Sequence, residues 1–141
     1  MSFASSNSAQ TYAKVGVETA VAAADSHQLI VMLFDGALLA IAKAEGFMGQ
    51  GMIAEKGEAV SRAIDIIANG LRASLDFSAG DELAGRLAGL YDYMGLRLVH
   101  ANLKNDLGAL QEVSRLLGEI KSAWEEIADD PAVLSTSKAA A

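Results

Sequence analysis

The sequence predicts an all-α protein whose helices form an antiparallel four-helix bundle. Four segments between residues 26 and 128 place apolar side chains every three or four positions, which is the spacing of one helix face. The connections between these segments are short and rich in Gly, Asn, Asp or Ser, so consecutive helices should pack as antiparallel neighbours. No segment shows the sustained alternation or the β-branched runs that are typical of strands.

The first predicted helix covers about residues 26–48. Asp25 is suited to the N-cap position, and Gln28 follows three residues later as in a capping box. Met32 and Leu39 point away from the stripe that should enter the core, and a cluster of glycines marks the end of the helix. The predicted core stripe consists of Ile30, Leu33, Phe34, Ala37, Ile41, Ala44 and Met48.

The second and fourth predicted helices are amphipathic segments at about residues 52–76 and 106–128. Ile66 lies beside the apolar seam of the second helix, among small residues. The chain breaks at Asn105 and Asp106 before the fourth helix, whose outward side is polar. The seams comprise Val60, Ile64, Ile67, Leu71 and Leu75 in the second helix, and Leu110, Val113, Leu116, Leu117, Ile120, Trp124 and Ile127 in the fourth.

The third predicted helix, at about residues 81–103, carries apolar residues on two sides. One stripe suits the core and consists of Leu83, Leu87, Leu90, Tyr91, Met94, Leu98 and Ala101. The opposite side, where a surface helix normally carries charge, presents Gly85, Gly89, Leu96 and Leu103, with Tyr93 and His100 on its flank. Either this outer side receives a partner, or the helix is central and buried all round.

Several glycines fall inside the predicted helices, and each costs about 0.8–1 kcal/mol relative to alanine in a helix interior. Close approach of another backbone can offset that loss. Gly36 and Gly70 lie near the seams, so we expect a neighbouring helix of the bundle to approach them. Gly85 and Gly89 lie on the outer side of the third helix, so we expect a helix from a partner there.

Charge and composition argue against several classes of function. The formal net charge is −7, which disfavours binding to the phosphates of a nucleic acid, and no basic cluster suggests an anionic membrane surface. The apolar runs are interrupted by charges too often to cross a membrane. There is no cysteine for a disulfide or a thiolate metal site, and the first residues do not resemble a signal peptide. We therefore expect a soluble cytoplasmic protein.

Three regions are expected along the chain. Residues 1–24 are predicted to form a flexible N-terminal arm, because they combine polar residues with small apolar ones and lack a sharp stripe. Residues 25–128 should form the helical domain. Residues 129–141 should be a disordered tail, since Pro131 ends the last helix and mostly Ser, Thr and Ala follow.

No pattern of residues typical of a catalytic or metal site is found. Helical bundles that hold two metals use Glu-x-x-His pairs, which the chain lacks. His27 lies at a helix start and is expected to be solvated, while His100 has no carboxylate three or four residues away on its helix. The glycine cluster at residues 46–51 follows a helix and lacks the Lys-Ser/Thr of a phosphate loop. We expect no enzyme, no metal and no cofactor; a bundle enzyme with a metal site is the competing class, which metal analysis would reveal.

Three motifs occur in register: LFDGA at residues 33–37, LYDYM at residues 90–94, and Ala-Asn-Leu at residues 101–103. The segment from Glu112 to Trp124 is also among the strongest matches, and Tyr12 and KGEA at residues 56–59 add further ones. Together they resemble the FliS family, the flagellar secretion chaperones of flagellin, over about residues 12–127. The chain departs from the family pattern at residues 79–80, where Ala-Gly replaces two glycines.

The resemblance implies a non-catalytic bundle protein that binds the C-terminal, helix-forming region of flagellin in the cytosol. Such binding prevents premature polymerisation, and the chaperone presents its cargo to the flagellar type III export gate. The resemblance also implies that Tyr12 contacts cargo and that no cofactor is needed. The expectation of no nucleic acid and no insertion into a membrane comes from the charge and composition. The expected cargo-binding residues are Tyr12, Met32, Leu39, Ile66, Gly85, Gly89, Tyr93, Leu96, His100 and Leu103.

The alternative function is that of a structural helical-bundle protein that homo-oligomerises through its second apolar face, which light scattering would detect. An empty apolar face also favours self-association in a chaperone without cargo. We therefore expect the N-terminal arm, with Tyr12 near its tip, to cover part of the outer side of the third helix until cargo arrives.

Overall fold

The computed structural model describes residues 26–78 and 82–128, and most of these residues are helical. The helices are α1 (Ser26–Gly49), α2 (Ile53–Asp65), α3 (Glu82–Lys104) and α4 (Leu107–Ala128), and a π-helical segment, Ile66–Arg72, directly continues α2. No strand occurs in these residues. The predicted all-α class and its four helices are confirmed. The predicted arm, including Tyr12, and the predicted tail lie outside the described residues.

The helices form a ring in which each packs against two neighbours. α1 and α3 both pack against α2 and α4, so α1 and α3 are diagonally opposite. The π-helical segment contacts both α1 and α3. The outward sides of α1 and α3 therefore face away from each other, which decides how the predicted partner-binding residues are distributed.

The core is filled by the predicted seams, with two corrections. Leu83 is 54% exposed because it lies in the first turn of α3, at the edge of the bundle. Ile127 is 41% exposed because it lies in the last turn of α4. The largest fully buried side chains come from all four helices and the π-helical segment: Phe34, Ile41, Val60, Ile67, Leu71, Met94, Leu98, Leu110, Val113 and Leu117.

His27 is buried at the start of α1, so the expectation of a solvated histidine is wrong. Its ring stacks on the Trp124 indole, with ring centroids 4.8 Å apart and an angle of 6° between the planes. His27 Nε2 donates to the Trp124 backbone oxygen at 2.8 Å, and Trp124 Nε1 donates to the His27 backbone oxygen at 3.2 Å. This reciprocal pair fastens the beginning of α1 to the end of α4.

The second predicted helix changes its hydrogen bonding at Ile66, which a pattern of apolar residues does not reveal. A Cβ atom built on Gly36 would lie 3.4 Å from Ile66 Cδ1, and one built on Gly70 would lie 3.0 Å from Leu33 Cδ2. Neighbouring elements of the bundle thus occupy the space beside both glycines, as expected. The π-helical segment can pack this closely against α1 because Gly36 and Gly70 have no side chains.

Candidate partner-binding surface

The outward side of α3 is exposed and apolar over most of its length. Leu96 and Leu103 are 72% and 73% exposed, and Val99 between them is also exposed. A Cβ atom built on Gly85 or Gly89 would meet no other atom within 4 Å. We name this surface the α3 outer face and define it as Gly85, Gly89, Leu96, Val99 and Leu103. The alternative in which this helix is buried all round is excluded.

A groove of about 380 Å³ borders the α3 outer face, between α3 and the end of the second helix. Its lining is mostly apolar and consists of Ile64, Ile67, Ala68, Arg72, Tyr91, Asp92, Gly95, Leu96 and Val99. Arg72 and Asp92 join the two sides through bonds of 2.8 Å from Nε and 3.2 Å from Nη2, which raise the pKa of Arg72. An amphipathic helix laid on the α3 outer face could therefore place side chains in a preformed groove.

Tyr93 and His100 lie on the other flank of the α3 outer face, toward α4. The Tyr93 hydroxyl donates to Glu112 at 2.5 Å, and Arg97 Nε donates to the same carboxylate at 2.7 Å. His100 Nε2 donates to Asp106 at 3.1 Å, and Arg97 lies 4.0 Å from the same oxygen. The two predicted site residues thus belong to a polar network between α3 and α4, which forms a rim beside the apolar surface.

The rim depends on two carboxylates that are stabilised in their charged form. Hydrogen bonds from Tyr93 and Arg97 hold the pKa of Glu112 below its usual range. The backbone N–H of Ala109, 3.1 Å from Oδ1, has the same effect on the pKa of Asp106. A carboxylate with a lowered folded-state pKa stabilises the fold above its unfolded-state pKa, and this contribution is lost as the pH falls through the folded-state pKa.

We expect Glu112→Gln to lower the free energy of unfolding at neutral pH and to have a smaller effect in acid, where wild-type Glu112 is itself protonated. Urea unfolding of both proteins at neutral and acidic pH measures the difference. Glu119→Gln is the matched control, because Glu119 forms an exposed pair with Arg115 on the same helix, and such pairs contribute little. An effect of Glu112→Gln that does not change with pH would contradict the prediction.

The remaining predicted site residues lie elsewhere. Met32 and Leu39 are on α1, seven residues apart on one side of the helix, and Leu39 is 56% exposed. Ile66 is half-buried against α1, so little of it is available to a partner. Tyr12 lies outside the described residues. The structure thus brings together Gly85, Gly89, Tyr93, Leu96, His100 and Leu103, and places Met32 and Leu39 on a second surface.

A second cavity, of about 270 Å³, lies at the end of the bundle where α1 begins and α4 ends. Tyr91 lines both this cavity and the groove, and burial raises the pKa of Tyr91 to about 12 because the apolar surroundings disfavour the phenolate. The sequence does not reveal this cavity because its walls come from separate elements: α1, the π-helical segment with the turn after it, α3 and α4. Its apolar lining includes Ile30, Phe34, Leu71, Leu75, Leu83, Ala84, Leu87, Ile120 and Trp124.

Three residues of the α3 outer face and the groove beside it were not predicted from the sequence: Val99, Arg72 and Asp92. Val99 lies three residues after Leu96 and four before Leu103, so helical spacing alone could have placed it in the same stripe. Arg72 and Asp92 are 20 residues apart on different elements, and no periodicity indicates that they meet.

Neither a metal site nor a membrane span is found in the described residues. Within residues 26–78 and 82–128, no three His, Asp or Glu side chains are grouped so that they could hold a metal ion. The same stretches contain no helix with the length and apolar character needed to span a bilayer.

Comparison with known proteins identifies the family. A family model described as flagellar protein FliS matches residues 8–131. The chain is 53% identical over 118 residues to the flagellar secretion chaperone FliS of Salmonella typhimurium, covering 84% of this chain and 87% of that relative. It is 47% identical over 125 residues to the FliS of Escherichia coli (89% and 92% covered) and 48% identical over 116 residues to the FliSB of Pseudomonas aeruginosa (82% and 91%). The chain therefore belongs to the FliS family of flagellar secretion chaperones.

Proposed function

We propose that this protein binds the C-terminal, helix-forming region of flagellin in the cytoplasm, prevents its premature polymerisation and aids its delivery to the flagellar type III export gate. Membership of a family of flagellar secretion chaperones supports the general role. The observation that carries the finer proposal is the α3 outer face, an exposed apolar side on a helix whose opposite side builds the core.

The size of this surface favours a partner that folds as it binds. Burying the remaining surface of Leu96, Val99 and Leu103, which are 72%, 46% and 73% exposed, contributes roughly 3–6 kcal/mol. Ordering a disordered tail costs about 2–5 kcal/mol, so only a partner with its own apolar stripe gains a useful net free energy. A C-terminal segment that forms an amphipathic helix fits this requirement, because helix formation gathers its apolar side chains on one face.

The diagonal arrangement of α1 and α3 bears on the length of the cargo. If cargo contacts Leu39 as well as the α3 outer face, one chain must pass around the outside of the bundle. Two packed helices are about 20 Å across, so the path around the bundle is about 30 Å, or about ten extended residues. We therefore propose a cargo with two contacting segments and an extended connection between them.

The test is calorimetric titration of the purified chain with a C-terminal fragment of flagellin, together with circular dichroism. We expect one fragment to bind per chain and the helix content of the mixture to exceed the sum of the separate components. An N-terminal fragment of the same flagellin is the control and should not bind. Absence of binding, or equal binding of both fragments, would refute the proposal. Light scattering of the chain alone distinguishes a monomer from the alternative homo-oligomer.

The glycines of the α3 outer face provide a separate prediction. Gly89→Ala should raise the free energy of unfolding by about 1 kcal/mol, because the new methyl group meets nothing within 4 Å and alanine favours the helix. The same methyl group should hold a bound helix further away and weaken the binding of the flagellin fragment. Thermal unfolding and calorimetric titration measure the two effects.

The matched control for Gly89→Ala is Gly118→Ala. Gly118 also lies inside a helix with open space beside it, but on α4. It should stabilise the fold similarly and leave binding unchanged. Unchanged binding by Gly89→Ala would mean that no partner approaches this glycine closely.

The proposed role of the N-terminal arm stays a prediction. Residues 1–24, with Tyr12 near the tip, would cover part of the α3 outer face in the free protein and contact cargo in the complex. Amide hydrogen exchange of α3 in the full chain and in a chain without the arm measures this directly. Equal protection of the α3 outer face in both would mean that the arm does not cover it.

A further inference from the structure

Lys56 is buried in the first turns of α2, with only 4% of its surface exposed. This is an unfavourable place for a lysine. Its charge lies near the positive end of the dipole of its own helix, and a buried ammonium group is costly unless its hydrogen bonds are satisfied. The reason for a lysine at this position must therefore lie in what its amino group contacts.

The Lys56 amino group reaches from α2 to the end of α3. Its Nζ donates to the Asn102 backbone oxygen at 2.9 Å and to Asn105 Oδ1 at 2.5 Å. Asn102 lies in the last turn of α3, whose backbone oxygens lack partners within the helix and form the negative end of its dipole. The positive charge of Lys56 is thus unfavourable at the N-terminus of α2 but favourable at the C-terminus of α3.

The turn that Lys56 holds has a defined geometry. Asn105 has a φ of 50° and is, in the part of the chain that the structure describes, the one residue other than glycine in the left-handed region. The Asp106 backbone N–H donates to the Ala101 oxygen at 3.1 Å, as in a Schellman motif. Asp106 then caps α4 by accepting the Ala109 N–H, and its other oxygen accepts His100.

This turn carries the end of the α3 outer face. Leu103 lies between the two residues that Lys56 contacts, and it has the largest exposed fraction among the large apolar side chains of the described residues. The rim residue His100 depends on the same turn through Asp106. A change in the position of the turn would therefore move both an apolar contact and the rim beside it.

We propose that Lys56 is a positioning residue for partner binding, which fixes the α3–α4 turn and through it Leu103. This inference rests on the proposed capture of flagellin and assigns a residue that does not itself touch the cargo. Replacing a buried ion by an apolar residue of similar size often leaves stability unchanged, so a lysine here is better explained by the geometry it imposes than by stability.

The test compares Lys56→Met with Asn105→Gly in the full chain. Lys56→Met keeps most of the side-chain volume and removes both hydrogen bonds. Asn105→Gly removes one acceptor but supplies the residue that best tolerates a positive φ, so the helix end itself should be stable. Arg115→Met is the control, because Arg115 forms an exposed ion pair with Glu119 on α4, away from the α3–α4 turn and from α1.

We expect both Lys56→Met and Asn105→Gly to bind the flagellin fragment about fivefold to tenfold more weakly than wild type, and Arg115→Met to bind normally. The Asp106 amide should exchange hydrogen faster in Lys56→Met than in wild type. Leu103→Ala should weaken binding less in the Lys56→Met background than in wild type, because Leu103 is already displaced there.

Two results would overturn the inference. If Lys56→Met weakens binding only in proportion to its loss of folded protein, and its Asp106 amide exchanges as in wild type, Lys56 supports the fold only. If wild type and both variants bind the fragment equally well, the positioning role of Lys56 is refuted and the proposed function stands. Failure of wild type to bind the fragment would instead refute the proposed function, and the positioning role with it. Should Lys56→Met fail to fold, Asn105→Gly and its coupling to Leu103→Ala decide the question.

Discussion

Leu96→Asp should weaken binding of the C-terminal flagellin fragment at least tenfold while leaving the free protein folded. Leu96 is largely exposed in the free protein, so a carboxylate at this position remains hydrated there. In the complex the substitution removes the burial of a leucine, about 1.5–3 kcal/mol, and leaves a charge to be desolvated. Because about 1.4 kcal/mol corresponds to a factor of ten in affinity, a tenfold loss is the lower bound.

Calorimetric titration and thermal unfolding of the same preparations measure the two parts of this prediction. Leu103→Asp should behave in the same way, since it lies on the same face and is equally exposed. Ile127→Asp is the matched control: it places the same charge at an exposed apolar position on α4, away from the α3 outer face, and should not affect binding. A large fall in melting temperature caused by Leu96→Asp would show that Leu96 supports the fold.

Leu98→Ala, unlike Leu96→Asp, should destabilise the free protein and lower its free energy of unfolding by about 2–5 kcal/mol. Leu98 is fully buried among core residues from the other helices, so truncation leaves a cavity. Leu96→Ala, only two residues away on the same helix, is the control and should change stability little. Urea unfolding measures both. Similar losses for the two variants would mean that α3 does not have one core side and one exposed side.

The bundle could be predicted from the sequence because the apolar residues of its core recur with the period of an α-helix. Apolar spacing along α3 separates Leu98 from Leu96, and the structure places one inside and the other outside. The exposed position of Gly85 and Gly89 also follows from that spacing. The two errors in the predicted core, Leu83 and Ile127, occur in the first turn of α3 and the last turn of α4, where the apolar periodicity continues although no neighbouring helix covers the residue.

Features formed by residues distant in the sequence were not predictable in the same way. His27 was expected in solvent, but it stacks on a tryptophan 97 residues away. Lys56 resembles an ordinary surface lysine in the sequence and is buried because the end of α3 lies beside it. The separation of Leu39 from Leu96 depends on the order of helices around the ring, since spacing along one helix does not state which way its outward side faces.

The stacked pair of His27 and Trp124 also determines where the two ends of the helical domain lie. It holds the start of α1 against the end of α4, so a short peptide linker between these points would span little distance. A circularly permuted chain, joined there and opened at the glycine-rich turn around Gly51, should therefore keep the same bundle. A fluorescent domain fused at the new terminus would sit at the opposite end, beside Leu103, where it would report directly on an arriving partner.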